Sequence, residues 1–125
     1  MTKRAIVSDQ LSNPAGLYSH VVERNGVVYT AGFGPQDPAT GEVPDGIAAQ
    51  TEQVISNVET ALAQVGLTLA DVVKTTVFLQ DMAEFAAMNE VYGRFFGAHR
   101  PARSTVGVGG LPRGVRVEIE VIAAR

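Results

Sequence analysis

A mixed β-sheet covered on one face by two helices, an α/β (α+β) chain folded as one domain, is the architecture this sequence predicts. Three observations point to it. The C-terminal stretch "RPARSTVGVGGLPRGVRVEIEVIAAR" alternates apolar and polar residues with the period of a strand. Two internal stretches space their apolar residues as helices do, and each stops at a glycine. A chain of 125 residues with 46% hydrophobic side chains has material for one core and no second domain, so residues 1–125 are expected to fold as a unit.

Residues 4–8 can form a short first strand. "LYSHVVERNGVVYTAG" reads as a hairpin, because Asn25-Gly26 readily adopts the positive φ angles of a two-residue turn. "FGPQDPATGEVPDG" is dense in Pro, Gly and Asp and reads as a loop. Asp45 can cap the first helix, whose apolar residues recur from Ile47 through Val54, Val58 and Leu62 to Val65 before Gly66. Gln50, Glu52, Gln53, Asn57, Glu59 and Gln64 make its polar face. Residues 72–79 are rich in β-branched side chains and read as a strand. Asp81 and Glu84 fit a capping box for a second helix, with Phe85, Met88, Tyr92, Phe95 and Phe96 on its apolar face and Gly97 at its end. Strands at about 103–109 and 115–123 complete the order β-β-β-α-β-α-β-β, a sheet of about six strands. With both helices on one face, the other carries branched aliphatic surface that nothing left in the chain can cover, so self-association is expected.

Composition narrows the function. A net charge of −3 disfavours nucleic acid and anionic membranes as main partners, and no segment is apolar for long enough to span a bilayer. A cytoplasmic location is expected by default. Without cysteine there is no disulfide, thiolate metal site or Cys nucleophile. His20 and His99 lie far apart with no carboxylate pattern of a metal site, and packing or surface roles are expected for both. The glycines of "TAGFGPQD" and "GVGG" make no phosphate-binding pattern. Ser8, Ser12, Ser19, Ser56 and Ser104 have no evident triad partners.

Charges on the last two strands remain. Val115, Val117, Ile119 and Val121 form an apolar face, leaving Arg116, Glu118 and Glu120 opposite. If the loop 110–114 makes the strands antiparallel neighbours, Arg103 and Glu118 approach each other on that polar face, which Thr105 shares with Arg103. Two readings stand. These charges are cross-strand ion pairs on a wet face, which the usual exposure of charged residues favours. Alternatively, the Arg103 guanidinium grips a planar carboxylate while a shielded Glu118, its pKa raised, moves protons. Tyr18, Phe33 and Asn89, taken alone, are a hairpin aromatic, a loop aromatic and a helix polar residue.

Together, "PATGEV", "ALAQVGLTLADVVKTTVFLQDM", "MNEVYGRFFG", "PARSTV" and "LPRGVRVEIEVIA" resemble the RidA/YjgF family of reactive-intermediate deaminases, from about Tyr18 to Ala123. The resemblance implies a chorismate-mutase-like fold and a homotrimer with clefts between subunits. It also implies hydrolysis of enamines and imines such as 2-aminoacrylate to 2-oxo acids and ammonia, without cofactor or metal. Carried over by motif, Arg103 of "PARS" binds the substrate carboxylate, and Glu118, the first Glu of "VEIE", serves water or proton transfer. Tyr18 and Asn89 match the cleft tyrosine and the helix asparagine, and Gly32 the substrate-lining glycine. Thr105 stands where relatives often have Cys, Ala31 where many have Ser, and Phe33 where Gln is common, which makes the pocket more apolar. The stretch "FFGAHRPARS" is shorter than in many relatives. A non-catalytic trimer that binds small carboxylates is the alternative. An endoribonuclease or translation inhibitor is a third possibility, disfavoured by the acidic balance.

Overall fold

The computed structural model describes residues 3–125. It contains β1 (Arg4–Ile6), β2 (Val21–Arg24), β3 (Val27–Thr30), α1 (Ile47–Ala63), β4 (Val72–Leu79), α2 (Phe85–Phe96), β5 (Ala102–Gly107) and β6 (Val117–Ala124). The elements follow the expected order, and the six strands form one mixed sheet in the order β1-β2-β3-β6-β4-β5. At the hairpin, Asn25 and Gly26 both take positive φ, 55° and 77°, which lets Arg24 pair with Val27 across a two-residue turn.

Apolar periodicity explains the packing. Val54, Ile55, Val58, Ala61 and Leu62 of α1 and Met88, Tyr92 and Phe96 of α2 are buried in one core with Val28, Val77, Leu79, Val117, Ile119 and Val121 of the sheet. Each fully buried Val, Leu or Ile contributes on the order of 1.5–3 kcal/mol through the apolar surface it withdraws from water. Past α1, Gly66 has a φ of 74° and Leu67 N–H donates to Leu62 O at 3.0 Å, a reverse turn that ends the helix. No described helix is long and apolar enough to cross a membrane.

Three local expectations are corrected. Asp45 does not cap α1; its N-cap is Gly46, at φ 86°, with no side-chain hydrogen bond. Asp81 does cap, accepting from Ala83 N, but it caps a short turn at Met82–Glu84 that precedes α2. Glu84 does not close the box, because its carboxylate pairs with Arg116 Nη1 at 3.0 Å. A reciprocal capping box does occur at Thr68 and Asp71, immediately before β4.

The largest correction concerns the last two strands. β5 pairs parallel with β4, and β6 runs antiparallel between β3 and β4, so β5 and β6 are not neighbours. The reason is topological. The crossover through α1 places β3 and β4 parallel with a strand-wide gap between them, and the crossover through α2 puts β5 at the far edge. β6, the most regularly alternating strand, fills the gap and gains pairing on both sides.

The sheet's second face is uncovered within the chain. Tyr29, Val73 and Val106 are exposed there, beside Lys74, Thr76, Phe78 and Ile122. A bulge in β4 at Val73, between Val72 and Lys74, turns Val72 inward and leaves Val73 outside, which strict alternation would not place there.

Candidate functional site in two halves

The same strand order decides where Arg103 and Glu118 point. Arg103 registers with Thr75 and Thr105 with Val77, so both lie on the helix-covered face. Glu118 registers with Phe78 and lies on the open face, between the inward residues Val117 and Ile119. The expected meeting of Arg103 and Glu118 on one face of adjacent strands therefore does not occur within one chain. β5 carries Ala102, Ser104 and Val106 on one side and Arg103, Thr105 and Gly107 on the other, with no apolar side to reveal its orientation.

Glu118 belongs to a cleft of about 550 Å³ lined also by Tyr18, Gly32, Phe33, Asn57 and Arg113. Its carboxyl rests on the Cα of Gly32. A Cβ built there would collide with Glu118 Oε1 and come within 3.0 Å of its Cδ. Glycine is required here for space, not for its φ angle. Partial burial pushes the Glu118 carboxyl above the ordinary carboxylate range, and the like charge of Glu120 on the same face adds to the shift. Among the described residues no ion-pair partner lies within reach of it.

The walls of this cleft are tied down by polar side chains that the helical pattern placed on a wet face. Asn57 is buried and donates to Gly34 O at 3.0 Å and Gln36 O at 2.9 Å, while its own carbonyl accepts from Gln53 at 3.0 Å. Gln50, seven residues earlier, donates to Pro44 O and accepts from Arg116 N at 2.8 Å. Their seven-residue spacing puts both amides on one helix face but does not distinguish a loop anchor from a solvated amide. With Gln36 oriented as its neighbours require, its amide oxygen accepts from the Arg113 guanidinium.

His20 is buried, at 2% exposed, as a packing residue. Ser8 N–H donates to its Nδ1 at 2.9 Å and its Nε2 faces Ser12 O at 2.8 Å, which assigns the neutral ring with the proton on Nε2. The ring thereby fastens the segment leading to Tyr18, which is exposed and whose hydroxyl accepts from Ala15 N at 3.2 Å. Phe33 is buried beside His20, ring centroids 5.9 Å apart, and its backbone extends the sheet by exchanging hydrogen bonds with Ile119.

Arg103 belongs to a second cleft, of about 520 Å³, lined also by Asn89, Tyr92, Phe96, Arg100 and Pro101. Helix α2 builds its seat. Phe85, Asn89 and Tyr92 recur at helical spacing on one stripe. Asn89 Oδ1 accepts from Arg103 Nη1 at 2.7 Å, and the guanidinium carbon sits 4.6 Å over the Tyr92 ring and 5.5 Å from that of Phe85. Tyr92 is held by its hydroxyl, 2.8 Å from Thr75 Oγ1. Periodicity marked Phe85 and Tyr92 as core residues; they also form the platform of the arginine. Among the described residues Arg103 has no carboxylate partner, so the ion-pair reading does not describe it. Ion pairing does describe Arg116, through Glu84. The Thr105 hydroxyl is buried and has no hydrogen-bond partner within the chain.

The seven candidate residues thus divide. Tyr18, Gly32, Phe33 and Glu118 line the first cleft; Asn89 and Arg103 line the second, with Thr105 beside Arg103 on β5. Among the described residues no three His, Asp or Glu side chains are grouped so as to hold a metal ion.

Comparison with known proteins agrees with this architecture. The family model described as Endoribonuclease L-PSP matches residues 9–125. A RutC family protein of Pyrococcus abyssi is 44% identical over 124 residues, 98% of each chain. The 2-iminobutanoate/2-iminopropanoate deaminase of Escherichia coli K12 is 41% identical over 125 residues, again 98% of each. The crystal structure of E. coli TdcF with bound serine superposes with a TM-score of 0.92 at 38% identity, covering 98% of both chains. A match of this extent, over a sheet and helices in the same order, means that the chain belongs to the RidA/YjgF family, whose model bears the Endoribonuclease L-PSP description.

Proposed function

We propose that this protein hydrolyses reactive 2-imino and 2-enamino acids to 2-oxo acids and ammonia, in a cleft that exists only where two copies of the chain meet. The observation that carries this reading is the division of the site. A carboxyl with a raised pKa and a guanidinium without a carboxylate partner lie on opposite faces of one sheet, each in an incomplete cleft. A closed ring of copies joins the Glu118 cleft of one to the Arg103 cleft of the next, and a homotrimer is the smallest ring that does so head to tail beyond a pair. The open sheet face, with Tyr29, Val73 and Val106 exposed, supplies apolar surface for such an assembly.

In the joined cleft, Arg103 pairs with the substrate carboxylate, held in orientation by Asn89 and Tyr92. Glu118 in its acid form protonates the enamine at C3, giving the iminium ion. As a carboxylate it then takes a proton from the water that adds to C2. That proton passes to the amine nitrogen of the tetrahedral carbinolamine; as the C–N bond breaks the carboxylate takes the hydroxyl proton, so ammonia and the 2-oxo acid leave and the acid form of Glu118 is restored. The raised pKa keeps the acid form of Glu118 to higher pH than an ordinary carboxyl allows, which suits one group to both steps. Gly32, having no side chain, lets the Glu118 carboxyl sit against the backbone and leaves the cleft beside it open to substrate.

Support comes from the E. coli relative named a 2-iminobutanoate/2-iminopropanoate deaminase, and from the serine bound to TdcF, an amino acid of the right size with a carboxylate for Arg103. That bound serine also suits the second reading, a trimer that binds small carboxylates without turning them over. An endoribonuclease, as the family description has it, would meet RNA phosphates with a chain of net charge −3. A deaminase assay separates these. Imines generated in situ from alanine or 2-aminobutyrate by an amino-acid oxidase should release ammonia faster with the protein present. Arg103→Ala should lower that acceleration by roughly 10²-fold, the scale for leaving a carboxylate without its charged partner. Equal rates with and without protein, alongside heat stabilisation by 2-oxobutyrate, would establish the binding reading instead.

A further inference from the structure

The Arg103 cleft holds a second guanidinium that the reaction above does not use. Arg100 lines the same cavity, three residues before Arg103, with Pro101 between them. Proline fixes its own φ and keeps the preceding residue extended, so the direction in which Arg100 enters the cleft is restricted. Three extended residues span at most about 10 Å, so the two long arginine side chains start close enough for both guanidinium groups to reach one small dianion. Arg100 is exposed and, among the described residues, has no acidic partner.

Charge distribution sets this cleft apart. The chain carries 13 acidic and 10 basic side chains, yet this cleft is lined by two arginines and by no Asp or Glu. Its other walls are the Tyr92 and Phe96 rings, Pro101 and the glycines Gly93 and Gly97, which suit a short methylene chain between two charged ends. Arg103 is oriented by Asn89 and Tyr92, so it supplies a fixed anchor, whereas Arg100 can close on whatever extends beyond it.

We infer that Arg100 is a specificity-determining residue and that the cleft prefers ligands with a second, distal carboxylate: the imines, and the corresponding 2-oxo acids, of acidic amino acids. The inference rests on the deaminase reading for its reaction, but its recognition step stands apart from turnover.

The test is equilibrium titration calorimetry with two stable 2-oxo acids that differ in the distal group, 2-oxoglutarate and 2-oxobutyrate. Wild-type protein should bind 2-oxoglutarate at least about tenfold more tightly, the scale of one charge-assisted hydrogen bond that is partly solvated. In Arg100→Ala that ratio should fall toward one, and Arg100→Glu should invert it. Arg100 is exposed, so both variants keep the fold, which circular dichroism verifies. A wild-type ratio near one, or a ratio unchanged by either substitution, overturns the inference, as does failure of both ligands to bind. Preferential binding of 2-oxoglutarate through Arg100 with no imine turnover would overturn the deaminase reading and leave this one standing. Turnover of alanine and glutamate imines at equal kcat/KM, unaffected by Arg100→Ala, would do the reverse.

Discussion

The two clefts differ in how their key charge is held. Glu118 rises from a central strand flanked on both sides, against the backbone of Gly32, in a cavity whose walls are tied by Asn57 and His20. Its environment disfavours the charged form. Arg103 stands on the edge strand, with one hydrogen bond to Asn89 and an aromatic platform beneath it, a seat suited to a cation. In the proposed reaction the first cleft moves a proton and the second holds an anion, the two lie on opposite faces of the sheet, and a second copy of the chain brings them together.

Mixing variants tests that separation most severely. Arg103→Ala and Glu118→Ala should each be nearly inactive alone. When they are unfolded, mixed in equal amounts and refolded together, random assembly gives about one site in four an intact Arg103 from one copy and an intact Glu118 from another. Activity should therefore recover to roughly a quarter of wild type. No recovery, with mixed oligomers demonstrated by mass, would mean that the two groups act within one chain or not at all.

A second substitution acts on the first cleft alone. Gly32→Ala places a methyl group where the Glu118 carboxyl now rests, and the carboxyl, at the end of a flexible side chain, swings away. A shift of about 1 Å in a catalytic group costs as much as 10²-fold in rate, so kcat should drop while thermal stability and 2-oxo acid binding through Arg103 persist. Loss of binding in the same proportion would show that the clefts are not separable.

Smaller effects follow from the Glu118 pKa, raised first by burial and then by Glu120. Because the folded state holds this proton to higher pH than the unfolded chain does, it binds more protons between the ordinary carboxylate range and the raised value. Folding stability contributed by Glu118 is therefore full at low pH and declines as pH rises through that window. Thermal denaturation across the window should show the decline in wild type and lose it in Glu118→Gln. Glu120→Gln should move the decline to lower pH, together with the pH at which deamination falls off.

Much of the fold was legible in advance. α2 at Phe85–Phe96 and β4 at Val72–Leu79 follow their apolar spacing, and the Asn25-Gly26 hairpin follows from the rarity of positive φ. The inward face of β6 was legible because Val117, Ile119 and Val121 alternate with charges. Asn57 and Gln50 were not, since an amide that binds a distant loop has the same spacing as one that binds water. Nor was the orientation of β5, whose two sides are equally mixed.

From its sequence alone this protein has its elements, its family and the list of polar groups available for chemistry, because periodicity, turn residues and motifs are local properties of the chain. Tertiary structure alone decided that β6 enters between β3 and β4, and with it that Arg103 and Glu118 face opposite ways. Strand order is set by which hydrogen-bonding edges remain open after two crossovers have formed, and a linear pattern of side chains does not encode that competition.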